Sequence, residues 1–104
     1  MIKMSVYYPA DGGSKFDHDY YRTRHLPLIQ DRMGDACLRY EIDKGLGGRD
    51  SGSVPEFVAA CHIYAPTLET FQEAFGPHRA EIVADVANYT DIVPIVQFNE
   101  IVGG

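Results

Sequence analysis

Alternation of apolar and polar residues along the chain predicts four β-strands. An apolar residue at every second position is the period of a strand with one buried face. In the first strand the apolar positions are Ile2, Met4, Val6 and Tyr8. The predicted strands cover residues 2–8, 36–46, 56–65 and 92–102.

A repeat of three to four residues predicts a first helix over residues 18–33. Asp17 is a favourable N-cap, and Phe16 before it can pack on Tyr21, four positions after the cap. Pro27 removes a backbone N–H inside the helix and predicts a kink beside His25. The inward stripe is predicted to hold Tyr21, His25, Leu28 and Arg32 or Met33.

A second helix is predicted to begin after Thr67, which is another favourable N-cap. Gly76 and Pro77 should break it, since proline can only begin a new helical segment there. The apolar stripe of this helix contains Leu68, Phe71, Phe75, His78, Ile82 and Val86.

The resulting order, β-α-β-β-α-β in 104 residues, predicts a single ferredoxin-like α+β domain over residues 1–104. Both helices should cover one face of a four-stranded antiparallel sheet and leave the other face open. We expect the open face to carry Lys3, Ser5, Tyr7, Arg39, Glu41, Ala60, His62, Tyr64, Ile95, Gln97, Asn99 and Ile101. The alternation leaves unresolved which face of the second strand lines a cavity.

This mixed polar and aromatic face predicts a homodimer. It is too apolar to remain in water and too polar for a core, so two such sheets would pair around a partly polar cavity. The pairing would form a dimeric α/β barrel.

Composition and charge exclude several partners. The net charge of −6 disfavours nucleic acid and anionic membranes, which select basic surfaces. No apolar run approaches the length of a membrane span, and the first residues lack a signal peptide's apolar centre. We therefore expect a cytoplasmic protein. Cys37 and Cys61 have no CxxC neighbour and are expected to be buried free thiols.

His25 and Tyr21 are the candidate catalytic residues. A histidine exchanges protons near neutral pH, and a tyrosine one helical turn away can orient it or polarise a substrate oxygen. Spacing alone is also compatible with a packed structural histidine. Further candidates for substrate binding are Tyr7, Tyr20, His62, Tyr64 and Gln97. For His62 and Tyr64, ordinary cross-strand pairing is an equal alternative.

Cofactor and metal motifs are not indicated. The segment "GLGGRD" at residues 45–50 imitates part of a dinucleotide-binding loop, but a strand rather than a helix is predicted after it. The histidines do not show a His-x3-His spacing, so a metal site is not predicted. Haem ligation by a single accessible histidine is a weaker possibility.

The stretch "FDHDYYRTRHLPL", with "MIKMSVYYP" before it and "NYTDI" and "PIVQ" after it, resembles the EthD family. The likeness covers nearly the whole chain and is greatest to the subgroup called EthD family reductases. It implies a dimeric α/β barrel of two ferredoxin-like subunits, and it places Tyr21 and His25 in the family signature. The family takes its name from ethyl tert-butyl ether degradation. The word "reductase" gains no support from this sequence, which has no dinucleotide-binding motif.

Two functions from different classes follow. In the first, the protein is a cofactor-independent enzyme acting on a hydrophobic, oxygenated small molecule in a catabolic or secondary-metabolic pathway. Such an enzyme could catalyse isomerisation, cyclisation, dehydration or oxygenation, with His25 as general acid or base. In the second, the protein binds a small ligand without catalysis, or assists a neighbouring oxygenase.

Overall fold

The structure is a computed structural model and describes all 104 residues. Its four strands are β1 (Ile2–Pro9), β2 (Arg39–Lys44), β3 (Phe57–Ala65) and β4 (Ile95–Glu100). All neighbouring strands are antiparallel, in the order β2-β3-β1-β4. The two helical regions join β1 to β2 and β3 to β4, so the predicted ferredoxin-like fold is confirmed.

The first helix begins and ends as its sequence predicts. The Asp17 side chain accepts a hydrogen bond from the backbone N–H of Tyr20 at 3.0 Å. The Phe16 ring lies 5.0 Å from the Tyr21 ring, measured between centroids. At the other end Gly34 has a φ of +58°, a left-handed conformation that glycine adopts without strain.

Pro27 is accommodated by a π-helical turn. The helix is α-helical over His18–Tyr20, π-helical over Tyr21–His25 and α-helical over Leu26–Met33. The backbone N–H of Leu26 bonds to the carbonyl of Tyr21, five residues earlier. The predicted irregularity beside His25 is therefore present, in the form of a widened turn. Such turns are frequent at functional sites.

The π turn also corrects the predicted inward stripe. A π turn holds one more residue than an α-helical path would, so every later position is rotated by one residue. The residues buried after it are Leu26, Ile29 and Met33, while Leu28 and Arg32 are only half-buried. The prediction that Leu28 faces inward is wrong for this reason, and of the two alternatives Arg32 and Met33 it is Met33 that is buried.

The second helical region is interrupted where Gly76 and Pro77 predict it. The Thr67 side chain caps its start by accepting from the N–H of Thr70 at 3.0 Å. The region consists of α-helical Leu68–Phe75, 3₁₀-helical Gly76–His78, α-helical Arg79–Asp85 and 3₁₀-helical Val86–Asn88. Neither helical region combines the length and the apolar composition that a membrane crossing requires.

One face of the sheet is uncovered, and it carries the residues predicted for it. The strand register pairs Ser5 with His62 and with Gln97, and pairs His62 with Glu41. Residues paired in this way share a face, so the assignment of Arg39 and Glu41 to the open face is also confirmed. The smallest dimension of the protein is 19 Å, the thickness of one sheet and one helical layer.

The core lies between the sheet and the helices. It contains Tyr8, Tyr21, Leu26, Ile63, Phe71 and Tyr89, among others. Both cysteines are buried free thiols, as expected, and burial raises the pKa of Cys61 to about 12. On the helical side of β4, the edge strand, Val96 and Phe98 are 50% and 40% exposed. The helical layer thus leaves a gap over this edge of the sheet.

Candidate functional site

The segment "NYTDI" at residues 88–92 holds the start of the first helix in place. The carbonyl of Tyr89 accepts a hydrogen bond from the N–H of Asp17 at 2.8 Å. The Asp91 carboxylate accepts from the N–H groups of Ser14 and Lys15, both at 3.0 Å. These bonds also lower the pKa of Asp91. These hydrogen bonds from residues 89 and 91 therefore fix where the first helix begins, and with it the position of His25.

His25 and Asp85 form a buried pair. The Nδ1 atom of His25 lies 2.8 Å from Oδ2 of Asp85, and the two side chains are 4% and 14% exposed. The other carboxylate oxygen of Asp85 accepts from the Tyr20 hydroxyl at 2.6 Å and from the Asn88 amide at 2.9 Å. Three donors therefore hold this carboxylate in one orientation.

The electrostatics of the pair favour a neutral imidazole beside an ionised carboxylate. Burial lowers the pKa of His25, an effect that outweighs the opposite influence of Asp85. Burial would by itself raise the pKa of Asp85, but the hydrogen bonds from Tyr20, His25 and Asn88 lower it. In this state Nδ1 of His25 carries the proton and donates a hydrogen bond to the Asp85 carboxylate, while Nε2 has a free lone pair.

The free Nε2 atom of His25 is accessible. It has no hydrogen-bond partner within the protein, and no side-chain nitrogen or oxygen is both fully buried and unpaired. His25 lines a cavity of about 170 Å³ between the two helical regions and the sheet. The lining is mostly apolar and includes Met4, Ile29, Ile82, Val83, Val96 and Phe98. A ligand in this cavity can meet the basic nitrogen directly.

Tyrosines surround the imidazole. The rings of Tyr21 and His25 are nearly parallel, with centroids 5.6 Å apart, and the Tyr89 ring lies 4.6 Å from that of His25. The hydroxyls of Tyr8 and Tyr89 are 2.6 Å apart. Burial strongly raises the pKa of Tyr21 and of Tyr89, so both phenols remain protonated at neutral pH. Tyr8 and Tyr21 line the cavity.

The structure divides the predicted site residues between the two faces of the sheet. His25, Tyr21 and Tyr20 lie together on the helical side, although Tyr20 contacts Asp85 and does not line the cavity. The residues on the open face, away from this cavity, are Tyr7, His62, Tyr64 and Gln97.

Of the four residues on the open face, His62 and Tyr64 hydrogen-bond to side chains of neighbouring strands, while Gln97 donates to Asn99 of its own strand. His62 bridges Ser5 and Asp43, with Nδ1 2.8 Å from the Ser5 hydroxyl and Nε2 3.1 Å from the carboxylate. The Tyr64 hydroxyl donates to Glu41 at 2.7 Å, and the Arg39 guanidinium lies 4.1 Å from the Tyr64 ring centroid. These are cross-strand pairs. A role for them in ligand binding stays a prediction.

Asp85, Tyr8 and Tyr89 were not among the predicted site residues. Asp85 could have been found, because it lies three positions after Ile82 and so on the same side of the second helix, where a mostly buried carboxylate needs a partner. Tyr89 belongs to the "NYTDI" segment that matched the family. In the sequence, Tyr8 is indistinguishable from the other inward residues of β1. Its position beside the cavity depends on tertiary packing.

A metal site does not emerge from these side chains. Only one histidine and one carboxylate converge at the cavity, and no group of three or more potential ligands is found in the protein.

Fold and site together define the class: a ferredoxin-like α+β protein with a buried His–Asp pair beside an apolar cavity. The EthD domain family model matches residues 14–92. The chain belongs to the EthD family. A comparison with curated proteins gives no significant match.

One solved structure supports the family, and two more share the fold. An EthD-like protein from Ralstonia eutropha JMP134 is 47% identical, with a TM-score of 0.93 over 98% of this chain and 92% of that one. An EthD (ethyl tert-butyl ether) family protein from Bacillus halodurans C-125 is 15% identical, with a TM-score of 0.70 over 96% and 97% of the two chains. An antibiotic biosynthesis monooxygenase is 14% identical, with a TM-score of 0.52 over 99% and 100%. The last two likenesses show the fold alone.

Proposed function

We propose that this protein is a cofactor-independent enzyme that acts on an apolar, oxygenated small molecule, with His25 as general base and acid. The observation that carries the proposal is the free Nε2 of a neutral, buried histidine whose other nitrogen is bound to Asp85 at 2.8 Å. As part of the same proposal, the substrate belongs to a catabolic or secondary-metabolic pathway.

The simplest reaction in this cavity is the movement of a proton next to a carbonyl group. Nε2 of His25 takes a proton from the substrate carbon beside the carbonyl, the electron pair of that C–H bond forms a carbon–carbon double bond, and the π pair of the carbonyl moves to its oxygen. The protonated phenol of Tyr21 or Tyr8 donates a hydrogen bond to the resulting enolate. Return of the proton from Nε2 to another atom of the enolate gives an isomer, with all atoms and electrons conserved.

Asp85 is a positioning residue in this reaction. It fixes the tautomer in which Nε2 is the base, and it stabilises the imidazolium that forms when Nε2 takes the proton. Tyr20 and Asn88 contribute indirectly, because they donate hydrogen bonds that orient the Asp85 carboxylate.

Deuterium incorporation tests the proposal against the alternative of a non-catalytic binding protein. A panel of apolar ketones, 1,3-diketones and hydroxyquinones is incubated with the protein in D₂O, and exchange is followed by NMR. An enzyme should accelerate exchange of at least one compound, and the acceleration should disappear in His25→Asn. Compounds that bind without any His25-dependent exchange would favour the binding protein.

We further propose that the open sheet face forms a homodimer. Light scattering at micromolar concentration should give about twice the 11.6 kDa chain mass. The face offers paired polar groups together with the Tyr7 and Phe57 rings, 5.2 Å apart between centroids. Tyr7→Glu, which places a charge on this face, should shift the mass toward the monomer, whereas Val83→Glu on the helical side should leave it unchanged. A stable wild-type monomer would refute the pairing.

A further inference from the structure

We propose that Arg79 selects substrates that carry a carboxylate, so that the ligand is an apolar acid with its body in the cavity and its charge at the mouth. This inference rests on the proposed function, whose site it completes. Arg79 lines the cavity, yet its side chain is exposed to solvent. The other lining residues are apolar or aromatic, apart from the neutral His25. The cavity therefore presents one permanent charge, and that charge is positive.

Arg79 has no carboxylate partner within the protein. The nearest acidic residue in the sequence, Glu81, is held by Arg32 through two hydrogen bonds of 2.8 and 2.9 Å. These hydrogen bonds also lower the pKa of Glu81. Because Arg32 neutralises Glu81, the guanidinium of Arg79 stays available to a ligand.

No other acidic group competes for this position. Asp85 is the carboxylate nearest the site, but it lies behind the imidazole, does not line the cavity, and is held by three donors. An anionic ligand therefore meets a guanidinium and no free carboxylate.

The location of Arg79 also suits recognition of a carboxylate in a fixed orientation. The guanidinium lies 5.7 Å from the centroid of the Phe75 ring, which supports it from one side. A planar guanidinium can bind both oxygens of a carboxylate at once. A ligand held in this way at the mouth extends its apolar part toward Val86, Tyr21 and His25.

The test compares a carboxylate with its neutral amide. Titration calorimetry measures the binding of 4-phenylbutanoate and 4-phenylbutanamide to the wild type, to Arg79→Gln, and to Arg49→Gln as a control. Arg49 is in the loop between β2 and β3, does not line the cavity, and carries the same charge.

We expect the wild type and Arg49→Gln to prefer the acid over the amide by about tenfold, the range of a charge-assisted hydrogen bond at a partly solvated site. In Arg79→Gln the preference should disappear while the affinity for the amide stays the same. Arg79→Lys should retain part of the preference, because the charge remains and only the bidentate geometry is lost.

Three outcomes would overturn the inference. If both probes bind the wild type equally, or if Arg79→Gln keeps the preference, Arg79 does not select carboxylates, and the proposed function of the cavity is unaffected. If neither probe binds the wild type, the inference also fails, and the proposed function is decided separately by the deuterium-exchange experiment.

Discussion

Replacing His25 with asparagine should lower turnover by about 10²–10⁴-fold while the protein stays folded. The amide nitrogen of asparagine can occupy the place of Nδ1 and still donate to Asp85, but no base remains at the position of Nε2. His25→Ala is a harsher change, because it leaves the Asp85 carboxylate without one of its three donors in a mostly buried place. Turnover is measured with whichever compound shows enzyme-dependent exchange.

His18→Asn is the matched control for this experiment. It removes a histidine from the first turn of the same helix, outside the cavity, and should leave turnover unchanged. If His25→Asn retained full turnover with normal stability, the histidine would not be the base. If it lost stability but bound ligands normally, the histidine would be structural.

The pH dependence follows from the same pair. The pKa of His25 is lowered from its ordinary value of 6.5, so Nε2 stays basic through neutral pH, and turnover should fall only when pH drops below 6.5. Because the unfolded chain binds a proton at a higher pH than the folded protein does, stability should also fall with pH below about 6.5. His25→Asn should remove this contribution to the loss of stability. If the rate already decreased while the pH was lowered toward 7, the pKa of His25 would not be lowered, and the prediction would be contradicted.

Removing the ring of Tyr89 should lower the free energy of unfolding by about 3–5 kcal/mol, the usual cost of deleting a large buried aromatic side chain. The residue is fully buried and its ring lies within 6.1 Å of those of Tyr8, Phe16, Tyr20, Tyr21 and His25, measured between centroids. The variant is Tyr89→Ala, and the measurement is urea unfolding.

Tyr89→Phe separates packing from hydrogen bonding at this position. It keeps the ring and removes only the hydroxyl that pairs with Tyr8, so it should cost about 1–2 kcal/mol. Leu46→Ala changes a residue that is 95% exposed and should be neutral. Equal, small losses for Tyr89→Ala and Leu46→Ala would show that the aromatic cluster does not support the fold.

The sequence predicted the fold and both helix starts because these depend on local chemistry. Strand alternation, and the side chains of Asp17 and Thr67, act over a few residues. The inward register after Pro27 could not be predicted, since proline is compatible with either a kink or a π turn, and the two place different residues in the core. The pattern also gave no sign that Asp85 meets His25, because 60 positions separate them and only tertiary packing joins them.

The open face and the cavity lie on opposite sides of one sheet, so assembly and ligand choice would be separable traits in the proposed dimer. Substitutions at Tyr7 or His62 would alter the proposed association without entering the cavity, and those at Val83 or Arg79 would alter the proposed ligand without reaching the open face. In a dimer paired through the open faces, both cavity mouths would point outward, so ligands could enter and leave without separation of the chains. Such a scaffold can change what it binds through successive substitutions on its helical side while its quaternary structure stays constant.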